Sequence, residues 1–143
     1  MRKQVEWPQE SFSSPYDTLK ICIIGEDRFG DALDVVNGKT ANNRKLVIRK
    51  FPDGRAASEC QIAFISTSEK DNVNDILGRL GSRPVLTISD IRGFEKRGGI
   101  IALFTKGNKV GFRINIEAAR RAKLYISSHL LEVAEIAKID NNE

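Results

Sequence analysis

The chain has 143 residues, 41% of them apolar and 29% charged, the balance of one globular domain with a real core. Lys plus Arg is 23 and Asp plus Glu is 19, a net charge of +4 that is too mild to point to nucleic acid as a partner. Two cysteines and one histidine cannot readily supply the four ligands of a structural zinc site, and no apolar run approaches the roughly 20 residues that cross a bilayer.

Met1 to Pro8 carries basic residues with no apolar segment behind them, so no secretory leader is read there. The expectation is a chain that is cytosolic or already trimmed of its leader. Residues 1–18, with Pro8 and Pro15, read as an extended lead-in. Residues 19–138 read as one domain and 139–143 as a polar tail.

Leu19 to Ile24 is a near-continuous apolar run closed by Gly25, the pattern of a strand buried on both faces. Phe29, Leu33 and Val36 predict an amphipathic helix over 27–37, stopped by Gly38. Leu46 to Phe51 is a second strand, placed near an edge by its charges. Ile62 to Ile65 is a third. Asn72 to Leu80 is a helix with Val73, Ile76, Leu77 and Leu80 on one face, and Val85 to Ile88 is a fourth strand. Phe94 to Gly99 reads as a loop, and its Gly98-Gly99 pair lets the chain approach the fifth strand, Ile100 to Phe104, without side-chain clash. Gly107-Asn108 is a hairpin turn into a sixth strand, Lys109 to Ile114. Asn115 is a candidate cap for a helix running to Lys123, Leu124 to Ile126 is extended, and Ser127 or Ser128 caps a last helix carrying Leu130, Leu131, Ala134 and Ala137.

Strands alternating with helices predict an α/β fold: a largely parallel, Rossmann/flavodoxin-like sheet flanked by helices, with an antiparallel C-terminal edge hairpin. Ligands of such sheets sit outside the carboxyl ends of the strands. There the chain offers Glu26, Asp27, Ser66 and Asp90 as a candidate ligand crevice. The set resembles a phosphoacceptor receiver, but Ser66-Thr67 ends the third strand where the acceptor aspartate would have to stand. Gly25 to Gly30 lacks the spacing of a dinucleotide-binding turn, and no phosphate-binding loop follows any strand. His129, the only histidine, reads as a surface or boundary residue, and Asp27 and Asp90 read more simply as caps than as an acid pair. No catalytic residue, cofactor or metal ligand is therefore assigned. Lys96, Arg97, Arg120 and Arg121 form a candidate basic surface, better suited to an acidic protein partner than to nucleic acid.

Cys22 lies within the first strand and Cys60 just before the third. In a strand order 2-1-3-4-5 these strands are neighbours, close enough for a disulfide. Level strand ends would instead leave the thiols offset by about three residues, near 10 Å. A disulfide and two reduced thiols both remain open on this reading.

Several segments, in order, resemble the YfiR/HmsC-like family: Val5-Glu6-Trp7-Pro8, Leu19 to Gly25, Cys60 to Ile65, Pro84 to Asp90, Gly98 to Ile101, Phe112 to Asn115 and Leu124 to Leu131. The resemblance covers nearly the whole chain from Val5. It implies an exported periplasmic regulator, not an enzyme. It implies as partner the periplasmic sensor region of a membrane diguanylate cyclase or another membrane sensor, whose repression lowers cyclic-di-GMP and biofilm formation. It further implies capture by an outer-membrane lipoprotein, a homodimer in some members, and a Cys22–Cys60 disulfide. Members normally begin with a leader and an apolar helix, so this chain is read as trimmed. A second cysteine pair of some members is missing from Phe94 to Phe104.

Overall fold

A computed structural model describes residues 5–8, 11–12, 17–27, 37–41, 44–133 and 135–136. The helix expected over 27–37 falls almost wholly outside them. In chain order the strands are β1 (Val5–Glu6), β2 (Leu19–Ile24), β3 (Thr40–Ala41), β4 (Arg44–Phe51), β5 (Ile62–Ile65), β6 (Leu86–Ser89), β7 (Ile101–Lys106), β8 (Lys109–Ile114), β9 (Tyr125–Ile126) and β10 (Glu135–Ile136). The α-helices are α1 (Val73–Leu80), α2 (Ile116–Arg121) and α3 (Ser128–Val133).

The main sheet has the order β10-β8-β7-β6-β5-β2-β4-β3. Pairing is parallel from β4 through β2, β5 and β6 to β7, and antiparallel in the β7–β8 hairpin. This is the α/β architecture expected, with the order 2-1-3-4-5 among its parallel strands. The central strands are short and apolar because both faces are covered. Cys22, Ile24, Ala63 and Ile65 face one cluster, completed by Val73, Ile76 and Leu80 of α1. Leu86, Ile101 and Ile114 face the other, with Ala118, Ala119 and Ala122 at α2. Ile24 and Ile65 are fully buried, each contributing about 1.5–3 kcal/mol by leaving water.

Three expectations change. The hairpin does not end the sheet, because β10 pairs in parallel with β8, Ile136 against Ile114. The last helix therefore stops at Val133, short of the expected Ala137, and the chain instead supplies partners to the outer backbone edge of β8. The helix after Asn115 ends at Arg121, because Lys123 turns left-handed (φ 61°) and the Leu124 N–H returns to the Ala119 carbonyl at 3.0 Å. Finally, Phe94 to Gly99 is not an open loop. It contains a 3-10 turn, Phe94–Arg97, and Phe94 is fully buried. A side chain on Gly99 would overlap the Phe94 ring, which gives the glycine expected there its reason.

The lead-in is docked where it is described. Val5 and Glu6 pair antiparallel with Ile126 and Tyr125, and the Trp7 indole N–H donates to the Gln61 carbonyl at 3.0 Å.

Candidate functional site

The carboxyl ends of β2, β4, β5 and β6 lie together, and the sequence-predicted crevice residues are spread along them. Gly25 leaves β2 with φ +92°, and a Cβ there would sit 2.6 Å from Ser68 Oγ, so the chain passes tightly under the β5 loop. The next backbone N–H, that of Glu26, donates to Ser68 Oγ at 2.9 Å, and its side chain is exposed. Asp27 is held by Lys50, with Nζ 2.7 Å from its carboxylate. Ser66 is fully buried, and its hydroxyl accepts from the Ser68 N–H at 3.3 Å as the cap of the turn Thr67–Glu69. Asp90 is exposed and lines a different groove, formed with Arg92, Glu95, Phe104, Lys106 and Arg113. Glu26, Asp27 and Ser66 do not line that groove.

Beside β4 lies a second groove of about 390 Å³ that the strand-end reasoning passed over. It is lined by Asp53, Arg55, Glu69, Asp75 and Arg79. Asp53 accepts from the Arg55 backbone N–H at 3.0 Å and from its guanidinium at 2.9–3.2 Å. That guanidinium lowers the Asp53 pKa below its ordinary 3.8 and raises the Arg55 value in return. Asp75 and Arg79 pair at 3.1 Å, one helical turn apart. The signal in the sequence was the Asp53-Gly54-Arg55 turn, in which a short acid can reach both the backbone and the arginine two residues on.

Among the described residues no three His, Cys, Asp or Glu side chains gather to hold a metal ion. The His129 side chain lies outside the described residues.

The basic candidates occupy two neighbouring elements. Lys96 and Arg97 are exposed on the turn Phe94–Arg97, where Arg97 Nη1 donates to the Lys70 carbonyl at 3.3 Å. Arg120 and Arg121 are exposed on α2, Arg120 pairing with Glu117 at 3.2 Å. Gly98, next after Arg97, lines one small pocket with Arg83 and Arg121.

Cys22 and Cys60 are joined by a disulfide, with Cα atoms 6.0 Å apart. Cys22 pairs in register with Ala63, so the offset of three residues inferred from the sequence is present. It does not separate the sulfurs, because Cys60 is not in the sheet. It caps the turn Gly54–Glu59, on a connection that must pass over β2 to carry the chain from β4 to β5. Ala57 and Cys60 thereby lie in one buried cluster with Cys22 and Ala63.

A model of the YfiR/HmsC-like family (DUF4154) matches residues 2–135. The chain belongs to the YfiR/HmsC-like family. Membership is consistent with a periplasmic regulator of diguanylate cyclase signalling, and the family is a regulatory one. The disulfide fits this family's oxidising compartment. No helix among the described residues is long and apolar enough to cross a membrane.

Proposed function

We propose that this YfiR/HmsC-like chain is a periplasmic, non-enzymatic regulator. It binds the periplasmic sensor region of an inner-membrane diguanylate cyclase and represses it, lowering cyclic-di-GMP and biofilm formation. The family match over residues 2–135 carries this reading. The four exposed cations Lys96, Arg97, Arg120 and Arg121 form the docking face in this reading, on two elements tied together by Asn115. A small-ligand sensor working through Glu26, Asp27, Ser66 and Asp90 finds less support, because Lys50 holds Asp27 and Ser66 is used as a cap.

The test is a binding measurement between the purified chain and the periplasmic segment of the membrane cyclase encoded nearest to it. Saturable binding is expected, together with higher cyclic-di-GMP when the gene for the chain is deleted. Reversing Lys96 and Arg97 to glutamate is expected to weaken the complex. The proposal falls if no periplasmic sensor segment binds and cyclic-di-GMP is unchanged by deletion.

A further inference from the structure

The carboxyl end of the sheet is uneven. β7 pairs with β8 along its whole length, from Ile101 against Ile114 to Lys106 against Lys109. On its other edge it pairs with β6 only at Ile101 and Ala102. Leu103 to Lys106 therefore run past the end of β6, and this edge has no strand beside it among the described residues. An open edge of this kind presents unpaired N–H and C=O groups to any extended chain that can reach it. It borders the groove of about 480 Å³ whose opposite wall is Asp90 to Gly93 and Glu95.

Glu95 is a second, independent observation. It is only 5% exposed, yet among the described residues no hydrogen bond or ion pair engages its carboxylate. Its carboxylate oxygens are not sealed off from the groove, so a cationic side chain brought there can reach them. Its backbone is held in place, because Asn115 Nδ2 donates to the Glu95 carbonyl at 2.7 Å. Asp90 lines the same groove, so its walls carry two acids. Arg92 and Lys106, both exposed, line it as well, and Arg113 stacks over the Phe104 ring at 4.3 Å.

We infer that this groove takes an extended segment of a protein partner, which adds to Leu103–Lys106 as a strand and delivers one lysine or arginine side chain to Glu95 and Asp90. Backbone pairing supplies the affinity of such a mode, and the side-chain pocket supplies its selectivity. Acidic residues flanking the basic one meet Arg92 and Lys106, and the neighbouring Lys96 and Arg97 extend the same complementarity. The inference rests on the protein-binding role proposed above and names what the partner must carry.

The probe is a fluorescein-labelled nonapeptide of alternating threonine and valine, with a central lysine and a glutamate at each end, titrated into the full chain. Binding is expected, weakened about tenfold when norleucine replaces the lysine and lost when alternate peptide nitrogens are methylated. The Glu95→Gln variant, checked for an unchanged melting temperature, is expected to narrow the difference between the lysine and norleucine peptides. Amide shifts are expected at Leu103 and Thr105. An Asp90→Asn variant gives a second reading, on an exposed site where folding is not at stake. No peptide binding, equal binding of the lysine and norleucine peptides by the unaltered chain, or shifts confined to another face overturns the inference. In parallel, the same variants are titrated with the periplasmic sensor segment. Unimpaired binding by Glu95→Gln and Asp90→Asn overturns the inference and leaves the proposed function standing. If no sensor segment binds while the lysine peptide does, the proposed function falls and the groove assignment stands.

Discussion

Asn115 holds two elements at once. Its Nδ2 donates to the Glu95 carbonyl at 2.7 Å, while its Oδ1 accepts from the Ala118 N–H at 2.9 Å. The residue is buried, so both bonds are made away from water. One amide thus caps α2 and fixes the turn that carries Glu95, Lys96 and Arg97. Replacing it by alanine removes a cap and leaves a buried carbonyl without its donor. The expected loss is about 2–3 kcal/mol. Serine restores the cap alone and is expected to recover about 1 kcal/mol of that loss. Urea unfolding of the three proteins measures both steps, and a loss below about 0.5 kcal/mol for alanine would contradict the double role.

The disulfide closes a sequence separation of 38 residues. Restricting the unfolded chain over such a loop contributes about 2–4 kcal/mol. Replacing both Cys22 and Cys60 by serine is expected to lower the denaturant midpoint accordingly, and dithiothreitol should lower the melting temperature of the unaltered chain but not of the double variant. Two titratable thiols in denatured, non-reduced protein from an oxidising compartment would refute the bridge.

Asp53 titrates below its ordinary value because Arg55 donates to its ionised form. A group with a depressed folded pKa stabilises the fold fully above its unfolded value and loses that contribution as pH falls through the folded value. The window therefore lies below 3.8. The pair is solvent-exposed, so added salt should weaken the effect. Carboxyl-carbon NMR is expected to show Asp53 titrating below 3.8 in the unaltered chain and returning towards 3.8 in Arg55→Ala. An unchanged Asp53 titration in that variant would remove Arg55 as the cause.

Gly99 faces the ring of Phe94, whose side chain is fully buried. A methyl group at Gly99 must displace that ring or the strand beside it, at an expected cost of about 1–3 kcal/mol. Thermal unfolding of Gly99→Ala checks this. The control is Gly93→Ala, where a Cβ meets open space but φ is +75°, so only backbone strain is paid there. A Gly99→Ala protein as stable as the unaltered chain would mean that Phe94 can move aside.

The central parallel strands were legible because Leu19 to Ile24 and Ile62 to Ile65 are short, largely apolar runs, and burial on both faces leaves no other place for them. The amphipathic face of α1 and the cap at Asn115 were legible for a similarly local reason, since spacing and cap chemistry act within a few residues. Glu95 was not. It stands in a stretch of charge and glycine that reads as loop, and its burial comes from Phe94 anchoring the turn beneath β7 and from an amide twenty residues further on.

Local pattern by itself determined the class of fold, its parallel strands and the empty positions where a receiver or a nucleotide-binding turn would need its key residues. Only the tertiary structure decided which strand ends share a groove, that β7 outruns β6, and that Cys60 lies above Cys22 and not beside it in the sheet. These depend on where a crossing connection passes and how far each strand extends. Such distances are set by the packing of segments far apart in the chain, so periodicity within a segment carries no record of them.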